Sequence, residues 1–186
     1  MRGFKSAGPK SSVVNFERGF TVVTGPNGSG KSNIGDAILF ALGENSPRNL
    51  RAANGKMSGL IYEPKKDESP DSQKPKECRV TLQFDNSDRA IPVDAETVTV
   101  TRELRDDGEN AYYLNGKKTT RGNLSEILDL AGLSPGGLNM VLQGASSGVA
   151  EMTPDEKRKM IEGVVGISKF DEKKSEALRT LNTADQ

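Results

Sequence analysis

The sequence predicts an α/β protein in which a parallel layer, built around a strand–glycine loop–helix unit, joins an antiparallel β layer. Three observations predict it. An apolar, largely β-branched run, Phe20-Thr21-Val22-Val23-Thr24, leads directly into Gly25-Pro26-Asn27-Gly28-Ser29-Gly30-Lys31-Ser32. A helical pattern from Asn33 to Leu42 follows that loop. Further on, runs of alternating apolar and polar residues are separated by Asp-Gly and Asn-Gly turn signals, the pattern of a meander.

Val13-Val14-Asn15-Phe16 and Phe20 to Thr24 read as two strands joined by a turn at Glu17-Arg18-Gly19. The continuous apolar character of the second marks a strand buried on both faces. Glycines at 25, 28 and 30 let backbone N–H groups turn onto phosphate oxygens without a Cβ in the way. Lys31 brings a positive charge for the terminal phosphates, and Ser32 a hydroxyl for Mg²⁺. Asn27 could bond the γ-phosphate. The start of the following helix favours negative charge. That helix carries Ile34, Ala37, Ile38, Ala41 and Leu42 on one stripe, and Gly43 ends it.

Residues 47–59 read as irregular, with Arg48, Arg51 and Lys56. Glu63 to Lys76 holds three prolines and no apolar residue, which predicts a mobile surface loop. Arg79 to Phe84 and Thr97 to Leu104 alternate as half-buried strands. Asp106-Asp107-Gly108 turns into Ala111 to Leu114, and Asn115-Gly116 turns again. Leu124, Ile127, Leu128 and Ala131 mark an amphipathic helix. Leu138 to Leu142 is a short apolar run ending at Gln143-Gly144. Thr153-Pro154-Asp155-Glu156 is a helix start, and a highly charged helix runs from Ser168 to the end.

The 186 residues suffice for one domain with a real core. Net charge is zero, so any contact with nucleic acid must use a local patch. Lys117, Lys118 and Arg121 are the tightest basic cluster, and a solvated face is the simpler reading of it. The single cysteine, Cys78, fits a packing role and a reducing compartment. With no histidine in the chain, a Ser-His-Asp triad, a Cys-His dyad and His-bearing zinc sites are excluded within it. No run is long and apolar enough for a membrane span, and no secretory signal is expected after Met1.

Taken in order, Gly3-Phe4-Lys5-Ser6, the glycine loop with Ser32-Asn33-Ile34-Gly35-Asp36-Ala37-Ile38, Ala41-Leu42-Gly43, Leu50-Arg51, Leu114-Asn115-Gly116, Val141-Leu142-Gln143-Gly144 and Gly166 to Phe170 resemble the structural maintenance of chromosomes (SMC) family. The resemblance covers nearly the whole chain. It is to the N-terminal half of the ATPase head of a prokaryotic, archaeal-type member. It implies a P-loop NTPase of the ABC-ATPase head type, with 1–167 as the half-head and 168–186 as the start of a coiled-coil arm. Two departures stand out. The strand that usually precedes Gly3 is missing or shortened, and the polar loop after Tyr62 is longer.

The resemblance further implies an ATP site of Lys5, Ser6, Gly25, Pro26, Asn27, Gly28, Ser29, Gly30, Lys31, Ser32, Asn33, Arg51 and Gln143, with Mg²⁺ held by Ser32 and by the Q-loop amide of Gln143. The Walker B aspartate, signature motif and catalytic glutamate are expected in a C-terminal half. Leu133 to Gly137 resembles a signature motif but contains Pro135 and reads as a loop. Ile91 to Asp94 is a poor Walker B, because Pro92 interrupts it. ATP hydrolysis is therefore expected only in the completed head. The implied partners are that C-terminal half, a second head, DNA and a kleisin subunit, with no membrane, in the cytoplasm at the nucleoid. A related DNA-repair ATPase of zinc-hook or RecN type is the alternative, and a small-molecule P-loop kinase a weaker one.

Overall fold

The computed structural model describes residues 1–64, 75–135, 153–155 and 157–158. Met1–Pro135 forms one unit, which contains everything described below except the short stretch after 152.

Helix α1 runs Lys31–Leu42. Gly30 precedes it and Gly43 follows it, both with left-handed backbones, and the Gly43 N–H reaches back to Leu39 O and Phe40 O. Two short 3-10 turns follow, Ala53–Gly55 and Met57–Leu60. Four strands come next: β1 Glu77–Asp85, β2 Thr97–Arg105, β3 Asn110–Leu114 and β4 Lys117–Thr119. They form one antiparallel sheet in the order β1-β2-β3-β4, as the turn signals predict. Asn115 and Gly116, both at positive φ, make the tight turn between β3 and β4. Helix α2, Arg121–Leu130, starts at Thr120, whose hydroxyl accepts from Asn123 N at 3.2 Å.

Leu42 of α1, Val98 and Val100 of β2, Tyr112 of β3, and Leu124 and Leu128 of α2 share one apolar cluster with Ile91. Phe4 packs its ring 5.2 Å from that of Phe40. Cys78 is buried, as a packing residue should be, and burial pushes its thiol up to about 12.

Arg102 occupies a core position on β2, between Val100 and Leu104 on the same face, and is 0% exposed. Its guanidinium lies 4.3 Å from the Phe40 ring centroid and 5.0 Å from that of Tyr112. It donates to Phe40 O at 2.9 Å and Glu44 O at 2.7 Å, carbonyls at the end of α1. It also donates to Asn45 Oδ1 at 2.6 Å and to Asn110 Oδ1 at 2.8 and 3.0 Å. Each donor of the fork therefore has a partner, which is what makes a buried guanidinium tolerable.

The expected strands at 13–16 and 20–24 are not formed among the described residues, and neither is the parallel layer they would begin. Phe20 is 93% and Val22 63% exposed, and Val13, Val14, Phe16 and Val23 are exposed as well. The physical reason is pairing. A strand needs a neighbour for its N–H and C=O groups, and local β propensity supplies none. Isolated antiparallel pairings of the N-terminal residues stand nearby, Phe4 with Ile61 among them. Met1 pairs with Ser12, at 2.8 Å in both directions, and Arg2 with Arg79 at 2.8 and 2.9 Å. Beside them a groove of about 1010 Å³ opens between 11–16 and β1, walled by Val13, Val14, Phe16, Leu82 and Phe84. Arg18 and Asp85 pin its far end with an exposed ion pair of 2.8 Å.

The polar loop at 65–74, the run 138–142 with Gln143, and the charged helix at 168–186 lie outside the described residues. The helix start near Thr153 is present: residues 154–155 and 157–158 are helical, and Lys157 N donates to Thr153 O at 3.0 Å.

Replacing Arg102 with Ala should take the guanidinium donor from Glu44 O, leave Phe40 O to the Gly43 N–H, and empty a fully buried side-chain volume. The expected loss is about 3–5 kcal/mol, read by urea unfolding. Arg102→Lys should recover little of it, since an ammonium cannot reproduce the planar fork. A loss under about 1 kcal/mol for Arg102→Ala would contradict this role.

Candidate functional site

The glycine loop meets α1 at Gly30. The N-terminal N–H groups of the helix therefore open toward the loop, where an anion is favoured. Ser29 N donates to Pro26 O at 3.3 Å and Asn33 N to Gly30 O at 2.9 Å, which shapes the turn. Lys31 curls back over the loop, and its ammonium donates to Gly25 O and Pro26 O, both at 2.7 Å. Ser32 is exposed in the first helical turn. Gly25, Pro26, Ser29, Gly30 and Lys31 line a cavity of about 420 Å³, together with Ser6 and Asn33.

The segment Gly3-Phe4-Lys5-Ser6 comes to this loop from outside it. Asn33 Nδ2 donates to Ser6 Oγ at 2.7 Å. Ser6 sits so close to the loop that a Cβ on Gly30 would fall 2.9 Å from Ser6 Oγ. Lys5 N is fixed by Leu60 O at 2.7 Å. Arg51 arrives from the turn after α1, and its guanidinium donates to Ser32 O at 2.8 Å. Lys5, Ser6, Arg51 and the glycine loop, proposed as one site on their order in the chain, thus converge on the start of α1.

Asp36 was not among the expected site residues. It is 3% exposed, and its carboxylate pairs with both Lys5 and Arg51. One sequence signal marks it, a carboxylate set within the otherwise apolar run from Ile34 to Leu42. The Ser6–Asn33 bond carries no such signal.

Other expectations are located as well. Leu133 and Ser134 close the end of α2, through Leu133 N to Leu128 O at 2.8 Å and a short bond from Ser134 Oγ to Asp129, so the signature-like run starts as a loop. Ile91 to Asp94 also lies in a loop, organised by buried Asn86, whose amide donates to Ile91 O, Val93 O and Ala95 O. Lys117 and Lys118 are exposed, whereas Arg121 donates to Gly43 O at 3.3 Å.

Fold and site combine a glycine loop at the start of a helix with an antiparallel lobe, and comparison with known proteins gives the family. Residues 1–140 match the family described as RecF/RecN/SMC N terminal domain. The chromosome partition protein Smc of Pyrococcus furiosus is 43% identical over 186 residues, 100% of this chain but 15% of that protein. The Smc protein of Aquifex aeolicus is 40% identical over 181 residues, 97% of this chain and 15% of its own length. Among solved structures, the Pyrococcus furiosus Smc head bound to the C-terminal domain of ScpA superposes with a TM-score of 0.81 at 42% identity, covering 99% of this chain and 45% of that one. A chain from work on ATP-driven dimerization and DNA stimulated activation of SMC ATPases gives 0.77 at 42% identity, covering 88% of this chain and 95% of that one. The chain belongs to the SMC family. It spans about 15% of the length of the curated relatives it matches.

The close approach at Gly30 can be tested against Gly28. Both have positive φ, but a Cβ on Gly28 would meet no neighbour within 4 Å. Gly28→Ala should therefore cost only the strain of a left-handed backbone, about 1–2 kcal/mol. Gly30→Ala should cost more and displace Ser6, read as a lower thermal midpoint. Equal midpoints would contradict the packing described.

Proposed function

We propose that the chain is the ATP-binding N-terminal half of an SMC head, one whose nucleotide joins two heads during chromosome partition. The observation that carries this is the convergence of Lys31, Ser6, Asn33 and Arg51 on the start of α1 beside a glycine loop with room for phosphate. Lys31 would leave the carbonyls of Gly25 and Pro26 for the β- and γ-phosphates, while loop N–H groups and Asn27 hold the remaining oxygens. Ser32 offers the hard oxygen donor that Mg²⁺ prefers, and Gln143 would add a neutral amide oxygen. The metal neutralises phosphate charge when bound.

The exposed apolar strip from Val13 to Val23 supports a composite head. A C-terminal half that brings strands to this strip would complete the parallel layer and bury it. In the reading of residues 1–167 as half-head and 168–186 as coiled-coil start, the same half supplies the Walker B aspartate, signature motif and catalytic glutamate. The chain alone would then hydrolyse ATP negligibly, consistent with the loop conformation of Ile91 to Asp94. The relatives described as ATP-dimerising and as bound to ScpA favour a second head and a kleisin as partners. DNA is the further proposed partner, and the cytoplasm at the nucleoid the proposed location. Matches along the whole chain to chromosome partition proteins favour this reading over a zinc-hook or RecN-type repair ATPase.

Calorimetric titration with Mg-ATP tests it. Lys31→Ala removes a charge-assisted contact and should weaken binding by about 1.5–3 kcal/mol. Equal affinities for wild type and variant would overturn the reading.

A further inference from the structure

We propose that Asp36 is the positioning residue of the phosphate site, a buried carboxylate that aims Lys5 and Arg51 from two separate loops. The inference rests on the ATP-binding reading above. Asp36 lies one helical turn beyond Ser32, inside the apolar packing of α1. Its two oxygens are divided between the cations. Oδ2 takes the Lys5 ammonium, and Oδ1 takes Arg51 Nη2 at 2.8 Å and Nε at 3.3 Å. The cluster closes on itself, because Lys5 Nζ also donates to Arg51 O at 3.3 Å.

Backbone geometry points the same way. Lys5 and Arg51 both have left-handed backbones, at φ 48° and 47°. Long side chains seldom occupy that region, and such strain persists only where surrounding contacts over-determine it. Here both strained residues present their cations to one carboxylate. Simple packing does not call for this arrangement, since an apolar side chain would fill the same helix face without a buried charge. The Arg51 side chain stays 43% exposed, so a ligand can reach it, and its guanidinium already touches the carbonyl of Ser32. Lys5 is followed by Ser6, which is bonded to Asn33. Asp36 thus fixes both cation-bearing loops against the start of α1.

Charge and positioning make opposite forecasts for one substitution. Asp36→Asn removes a negative charge near a polyanion site, so Coulomb attraction alone would tighten ATP binding. If Asp36 aims the two cations, binding weakens although the site becomes more positive. Mg-ATP affinity would be measured calorimetrically for wild type, Asp36→Asn, Arg51→Ala and the double variant, with circular dichroism of each. The expected result is a loss of about tenfold for Asp36→Asn, and a double variant weaker by clearly less than the product of the single losses. Equal or tighter binding by Asp36→Asn, or multiplicative losses, would overturn the proposal. Should Asp36→Asn fail to fold, Arg51→Lys decides. It keeps the charge and the carboxylate but loses the fork, and should bind ATP more weakly. Wild-type affinity in Arg51→Lys would overturn the proposal. Absence of ATP binding by wild type would overturn the underlying function instead.

Discussion

The guanidinium of Arg102 ties the end of α1 to the four-stranded sheet, and the position of the glycine loop follows from it. The loop has little structure of its own to hold it. What it has is α1, whose first turn offers N–H groups to an anion. A helix can present that turn accurately only if its far end is fixed. Arg102 does this from the middle of β2, donating to Phe40 O and Glu44 O while it lies over the rings of Phe40 and Tyr112. A cation at a helix C-terminus also complements the macrodipole. Arg121 adds to this at Gly43 O. At the other end, Asp36 gathers Lys5 and Arg51. Buried or half-buried charge thus fixes α1 at both ends, and apolar packing fills the span between.

The antiparallel lobe is finished and the region before the glycine loop is not. The sheet pairs each of its four strands with a neighbour, and its core face meets α1 and α2. The segment from Val13 to Val23 carries largely exposed apolar side chains and, beyond Ser12, no strand partner among the described residues. Such a strip is unfavourable in water and favours association. The account of the chain as half of a composite head rests on this contrast within one unit. The complementary half would contribute both strand pairing and an apolar cover.

Much of this was legible in the sequence, for reasons that can be stated. The glycine loop, α1 and its stop at Gly43, and the Asn115-Gly116 turn depend on local chemistry, with backbone preferences written into single residues. The meander was legible because alternation and turn signals agree over 79–119. The strand at 20–24 was misread as already formed, because β-branched composition reports a preference and not the presence of a neighbour. The roles of Arg102 and Asp36 were not legible. Arg102 acts on residues 57 to 62 positions away in sequence, and Asp36 on Lys5, 31 positions away. No periodicity encodes such pairings. Lys5, Ser6 and Arg51 were reached only through resemblance to a family, and the structure then supplied the contacts that join them.

Hydrogen–deuterium exchange across residues 12–24 tests the composite-head account most directly. It would be followed in the chain alone and after mixing with the C-terminal half of an SMC head. The account expects fast exchange of these amides in the chain alone and strong protection in the mixture, with amides of β2 protected in both. Protection of 12–24 already present in the chain alone, or none gained on mixing while the two halves co-elute, would contradict it.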